Sequence, residues 1–152
     1  MAPADGTRIK SVAQCLVGDW DRIYDLDPDA LPSQSSIWAD VVCKAGGFRN
    51  RSIHFRFVDG TEAVLPLFSG NPLLGPFTIS RSPPAAWGFG GPISTAPLGP
   101  DSIRHILDHC ATLPGAAIQI RPNPLAAEVW KEAANGSGWD ALNRTCLLYT
   151  SD

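Results

Sequence analysis

Residues Ser52 to Val58 alternate polar and apolar side chains with a period of two, and Asp59-Gly60 follows them. Thr61 to Phe68 then reads as a second strand, so the pair predicts a β-hairpin with a type I′ turn at Asp59-Gly60. This hairpin constrains the chain more than any other segment, because alternation fixes which side chains face a core. Pro66 has no N–H for a ladder, which places that part of the second strand at an edge or a bulge.

Other elements follow around it. Thr7 to Gln14 reads as a first strand. Asp19 is expected to cap a short helix over Trp20 to Leu26, which Asp27-Pro28 stops. Ser33, Ser35 or Ser36 is expected to cap a second helix around Ile37 to Ala45, with Ile37, Trp38, Val41 and Val42 on its apolar face and Gly46-Gly47 at its end. A strand is expected at Pro76 to Arg81. A helix from Asp101 to Leu113 carries the stripe Ile103, Ile106, Leu107, Cys110 and Leu113. Ala117 to Arg121 reads as a strand, Leu125 to Asn135 as a helix, and a last strand begins near Trp139. The order is β-α-α-β-β-β-α-β-α-β. It predicts an α/β (α+β) domain with a mixed, mostly antiparallel sheet flanked by helices. The 14 glycines and 14 prolines among 152 residues agree with short elements and many turns.

The formal charge of −3 argues against a broad nucleic-acid surface, and DNA is not an expected partner. Lys44, Arg49, Arg51 and Arg56 form a small basic cluster, read as a solvated face or as a phosphate contact. No apolar run approaches the roughly 18 residues of a membrane span. The first residues carry no signal-peptide h-region, and the expected location is cytoplasmic. Cysteines at 15, 43, 110 and 146 fit neither a zinc site nor a disulfide framework, and read as buried reduced thiols. His105 and His109 are expected to face solvent, and His54 to be a surface or cross-strand partner; no metal is expected. Asp19, Asp21, Asp25, Asp27 and Asp29 lack the glycine and glutamate of a calcium loop and read as capping and solvated. No serine elbow, Walker loop or paired-carboxylate motif is present.

Cys146 to Asp152 matches, residue for residue, the translation of a transposon-end sequencing adapter, TGT CTC TTA TAC ACA TCT GAC. The expectation is that the natural sequence runs to Arg144 or Thr145 and the gene continues beyond it.

Four segments together resemble the N-terminal half of FemAB-type proteins, the peptidoglycan-bridge aminoacyltransferases and their GNAT acyltransferase relatives. Gln34-Ser35-Ser36-Ile37-Trp38 resembles a Q-S-x-x-W helix start. Asp59 to Leu67 resembles D-G-x-x-x-x-L-P-L. Ser82-Pro83 with Trp87-Gly88-Phe89-Gly90-Gly91-Pro92 resembles S-P followed by [YW]-G-x-G-G-P. Ile120-Arg121-Pro122-Asn123-Pro124 precedes a helix. The resemblance implies that residues 1–145 form a GNAT-like domain and that a second, C-terminal GNAT-like half is the missing partner. It implies transfer of an acyl or aminoacyl group to an amine acceptor in cell-wall or polysaccharide biosynthesis. The donor is acyl-coenzyme A or aminoacyl-tRNA, a co-substrate rather than a tightly bound cofactor.

Ser35, Trp38, Arg81, Trp87, Gly88, Phe89, Gly90 and Gly91 are the residues expected to line the acceptor cleft between the halves. No catalytic base is assigned. Ala85 stands where the phosphate-cradling arginine or glutamine would be, so this half is not expected to hold coenzyme A in the usual way. The glycine-rich stretch reads either as a turn packed by Trp87 and Phe89 or as a cleft wall. The rivals to the whole reading are a non-catalytic interface module and a complete single-domain N-acetyltransferase. Apolar surface meant for the missing half is expected to be exposed.

Overall fold

A computed structural model of the chain describes residues 5–70, 78–115 and 117–141. In chain order the elements are β1 (Ile9–Gln14), α1 (Val17–Leu26), α2 (Ser36–Gly46), β2 (Arg49–Asn50), β3 (Ile53–Phe57), β4 (Glu62–Leu65), β5 (Phe68–Ser69), β6 (Ile79–Ser82), β7 (Ile93–Ser94), α3 (Pro100–Ala111), β8 (Ala117–Ile120) and α4 (Ala127–Ala134). Single 3-10 turns precede α2 (Pro32–Gln34) and α4 (Pro124–Ala126). The domain is mixed α+β, and its strands form two sheets, ordered β1-β3-β4-β7 and β2-β5-β6-β8. All pairings are antiparallel except β6 with β8, which are parallel and joined through α3. Pro76, Phe77, the chain from Leu142 on and the tail from Cys146 lie outside the described residues. Residues 139–141, where the last strand was expected to begin, are not in a strand.

The hairpin forms with a different turn. Gly60 has φ +90° while Asp59 stays at negative φ, so a type I′ turn is excluded. Gly60 N–H donates to Phe57 O at 3.2 Å and Phe57 N–H donates to Thr61 O at 2.8 Å, closing a three-residue loop. The Asp59 carboxylate accepts from Thr61 N–H at 2.8 Å. Farther along, the hairpin splits where Pro66 cannot donate. Leu67 N–H instead donates to Ser52 Oγ at 3.1 Å, and Arg51 N–H donates to Leu67 O at 2.7 Å. Before this point the hairpin belongs to the first sheet. After it, the hairpin belongs to the second.

Period-two alternation then distributes the core. Ile53, Phe55, Phe57, Ala63 and Leu65 face Ile106 and Cys110 of α3. Val64 faces the other way, with Ile93 of β7, against Trp20 and Ile23 of α1 and Ala39 and Val42 of α2. The first sheet is therefore covered on both faces. β7 falls in a stretch that the sequence left without an element.

Several local expectations change. Asp19 lies inside the first turn of α1, which starts at Val17 after Leu16 with no side-chain cap. Its carboxylate turns to Arg22 and His54 instead. Of the three serines before α2, Ser35 is the cap, its Oγ accepting from Trp38 N–H at 3.1 Å. Gly47, at φ +69°, closes the helix. Ala39 and Val42 carry its buried stripe, whereas Ile37 is 77% exposed and Val41 is exposed. His105 and His109 are half-buried rather than turned to solvent. Nδ1 of His105 hydrogen-bonds Thr7 O, and the His109 ring meets Phe55 edge-on at 5.5 Å.

His54 is buried because α1 covers its face of the sheet. Its Nε2 hydrogen-bonds Glu62 at 2.7 Å, a diagonal cross-strand contact. Glu62 also accepts from Arg22 of α1 at 3.0 Å and from Arg56 at 3.3 Å. Burial opposes ionisation of Glu62, but the hydrogen bonds from Arg22, His54 and Arg56 outweigh it and hold the carboxyl below its ordinary 4.5. A carboxyl depressed on folding stabilises the fold above its unfolded pKa, and that contribution is lost as pH falls through the folded one. Glu62→Gln should therefore lower stability most above pH 4.5. Urea titrations of both proteins across pH 3–7 (about the window of acid titration) should show the difference shrinking toward the acid end.

Candidate functional site

Three of the four family-like segments meet in space. β6 ends at Ser82, whose Oγ accepts from Gly91 N–H at 3.0 Å and whose carbonyl accepts from Arg121 N–H at 2.8 Å. Gly90 N–H donates to Arg121 O at 2.7 Å. A Cβ on Gly90 would stand 2.5 Å from the Ser82 carbonyl carbon, so no other residue fits there without displacement. Gly88, at φ +100°, packs on Ser33 in the same way.

The other side of the loop is held from the turn before α2. Ser33 Oγ donates to Phe89 O at 2.6 Å. Gln34, 1% exposed, donates through Nε2 to Gly90 O at 2.9 Å and Gly91 O at 3.1 Å. Its Oε1 accepts from Leu31 N–H, and its carbonyl accepts from Trp20 Nε1 at 2.8 Å. Trp38 Nε1 donates to Trp87 O at 2.9 Å, and the two indoles meet edge-on at 6.0 Å.

Of the residues expected to form the site, Trp38, Trp87, Gly88, Phe89, Gly90 and Gly91 come together. Ser35 is adjacent but is occupied with its own helix and Pro32 O. Arg81 is apart from this lock, its Nε donating to Gln119 across the parallel pair at 2.9 Å. None of these eight residues is among those lining the cleft and the groove described below. The loop carbonyls of Trp87, Phe89, Gly90 and Gly91 all turn inward to side-chain donors. Gly88 and Phe89 are exposed on the outer side.

Behind the loop lies a cleft of about 270 Å³, lined by Asp27, Asp29, Gln34, Pro92, Asn123 and Trp130 among others. It sits beyond the carboxyl end of β8, where open parallel sheets commonly take ligands. Asp27 accepts from Ser94 N–H at 2.8 Å and Asp29 N–H at 3.0 Å. Asn123 donates to Asp29 O at 2.7 Å and accepts from Leu125 N–H at 3.0 Å. The walls are thus fixed before any ligand arrives. Among the described residues, two acidic residues and no lysine or arginine line the cleft, a charge pattern that suits an amine or another cation. Sequence reasoning read Asp27 and Asp29 as capping residues and missed the cleft. Asn123, in the Pro-Asn-Pro start of the last helix, was the available signal.

Burial keeps the three described thiols in their protonated form. Burial pushes the Cys110 thiol up to about 12. Burial, then Asp19 and Asp21, push Cys15 up to about 12. Burial and Asp40 raise Cys43 as well. Cys15 and Cys43 are half-buried rather than fully enclosed. Among the described residues, no group of three or more His, Cys, Asp or Glu could hold a metal ion, and no helix is long and apolar enough to cross a membrane.

Replacing Gln34 by Leu leaves the Gly90 and Gly91 carbonyls buried without a donor, which should cost about 2–3 kcal/mol. Urea unfolding should show that loss, and amide exchange should quicken at Gly90. Gly90→Ala should destabilise by about 1–3 kcal/mol through overpacking. By contrast Gly18→Ala, in open space on α1, should stabilise by about 0.5–1 kcal/mol. No protein-family model matches the chain, and no curated protein and no solved structure shows significant similarity to it.

Proposed function

We propose that this chain is the acceptor-side, N-terminal half of a FemAB-type acyltransferase. The whole enzyme would move an acyl or aminoacyl group from acyl-coenzyme A or aminoacyl-tRNA to an amine, in the cytoplasm. The observation that carries this reading is the convergence of the Gln34–Trp38, Ser82–Pro92 and Arg121–Pro122 segments. Chosen for their sequence resemblance alone, they lock one another at the carboxyl end of the parallel β6–β8 pair. The carboxylate-lined cleft behind them supports an amine acceptor on this half. The inward-turned loop carbonyls and Ala85 argue against a coenzyme A phosphate cradle in the loop.

Acyl transfer needs a deprotonated amine, a bound donor and hydrogen-bond donors at the developing oxyanion. This half would supply acceptor orientation, and the donor site would come from the second half. The exposed apolar residues Ile37, Val41 and Phe89 fit the expectation of an apolar surface for that half.

The source DNA should read on through codon 145 into a second GNAT-like half. A genuine stop after Asp152 would overturn the two-half reading. Calorimetric titration of the chain with acetyl-coenzyme A should show no binding tighter than about 1 mM. Micromolar binding by the chain alone would instead favour a complete single-domain N-acetyltransferase.

A further inference from the structure

A larger groove, of about 680 Å³, lies at the other end of the β6–β8 pair, bordered by Thr78, Ser80 and Gly115. Its volume falls in the range of small-molecule sites, about 300–1,000 Å³. One wall is apolar, made by Val12 of β1, Ile53, Leu67 and Leu113. Another carries Arg49 of β2 and Arg51, which follows that strand. His109 adds a third nitrogen-bearing side chain, and among the described residues no aspartate or glutamate lines the groove.

The two arginines differ from their neighbours in the basic cluster. Lys44 is held by Asp40, and Arg56 by Glu62. Among the described residues, neither Arg49 nor Arg51 has a carboxylate within 4.0 Å, and Arg51 reaches only Ser69 Oγ at 3.5 Å. Guanidinium groups match carboxylate oxygens with two parallel hydrogen bonds. An uncompensated pair of them beside an apolar wall recognises an anion with a hydrocarbon body. A nucleic acid is a poorer fit, since among the described residues no tryptophan, tyrosine or phenylalanine lines the groove to stack a base.

We infer that this groove is a binding site for a small amphipathic carboxylate, its head on Arg49 and Arg51 and its chain along Val12, Ile53, Leu67 and Leu113. This site does not depend on the acyl-transfer reading, since it uses no residue of the glycine loop or of the cleft behind it.

Decanoate and 1-decanol share a chain and differ in the head, so they separate charge from apolar burial. Calorimetry on the full 152-residue chain, with β2 amide shifts followed by NMR, should show decanoate binding. Decanol should bind at least about tenfold more weakly, and Arg49→Ala/Arg51→Ala should weaken decanoate by a similar factor. Arg104→Ala, on α3 outside the groove, should change nothing. Circular dichroism checks the fold of the double variant. If that variant fails to fold, Arg49→Gln alone should weaken decanoate by about threefold. Equal binding of decanol and decanoate, decanoate binding unchanged by the arginine substitutions, or no decanoate binding would each overturn the proposal.

Discussion

The buried side-chain amide of Gln34 is the contact on which the chain's long-range order depends. It joins the Leu31–Gln34 turn to the Gly90 and Gly91 carbonyls, while the Gln34 main chain holds the Trp20 indole of α1. An amide in water would form equivalent bonds, so the net gain per bond is modest, about 1 kcal/mol. The asymmetry matters more. Once the loop is packed, Gly90 and Gly91 are buried, and without Gln34 their carbonyls would be desolvated with no donor. The glycines follow from the same packing. Gly90 presses on Ser82 and Gly88 on Ser33 at distances that exclude a side chain. A G-x-G-G pattern that reads in sequence as a packed turn or a cleft wall is, on its inner side, a close-approach pattern.

The elements legible in the sequence are those whose pattern is local. α3 keeps its stripe because Ile106 and Cys110 meet the first sheet while Ile103 and Leu107 pack with Ala133 of α4, and helical periodicity records both. The hairpin is legible for the same reason, and so is its interruption at Pro66. The errors arise where another part of the chain decides. His54 occupies a polar position in the alternation, yet α1 covers that face and Arg22 and Asp19 arrive from it. Ile37 and Val41 read as core but lie outside the buried stripe of α2 set by Ala39 and Val42. The turn at Gly60 uses one positive φ where Asp-Gly suggested two. In the site, the resemblance found the segments that converge. It did not find the cavities, because concavity depends on spacing between elements rather than on residue type.

Charge is segregated in a way that the overall value of −3 conceals. Asp27 and Asp29 line the cleft at the carboxyl end of the parallel pair, and Arg49 and Arg51 line the groove at the amino end. In the middle, Glu62 absorbs Arg22, Arg56 and His54 at the sheet surface under α1. Each polar group there has a fixed partner, so that network serves the fold. Among the described residues the arginines of the groove have no carboxylate partner, and charge left uncompensated in a concave, partly apolar wall is what recognition of an anion requires.

The groove itself traces back to one residue. A proline at position 66 removes the donor that would have continued the first sheet, and Leu67 N–H turns to Ser52 Oγ instead. The hairpin then passes from one sheet to the other, and Ser52, Ile53 and Leu67 are left lining the space beside the junction. Arg49 of β2 and Arg51 lie just before that junction in the chain, and both line the space beside it. An unbroken hairpin would continue the first sheet through Ser52 and Leu67 and leave no junction for the groove to follow. The same missing N–H therefore stands beside both the passage from one sheet to the other and the larger of the two cavities described.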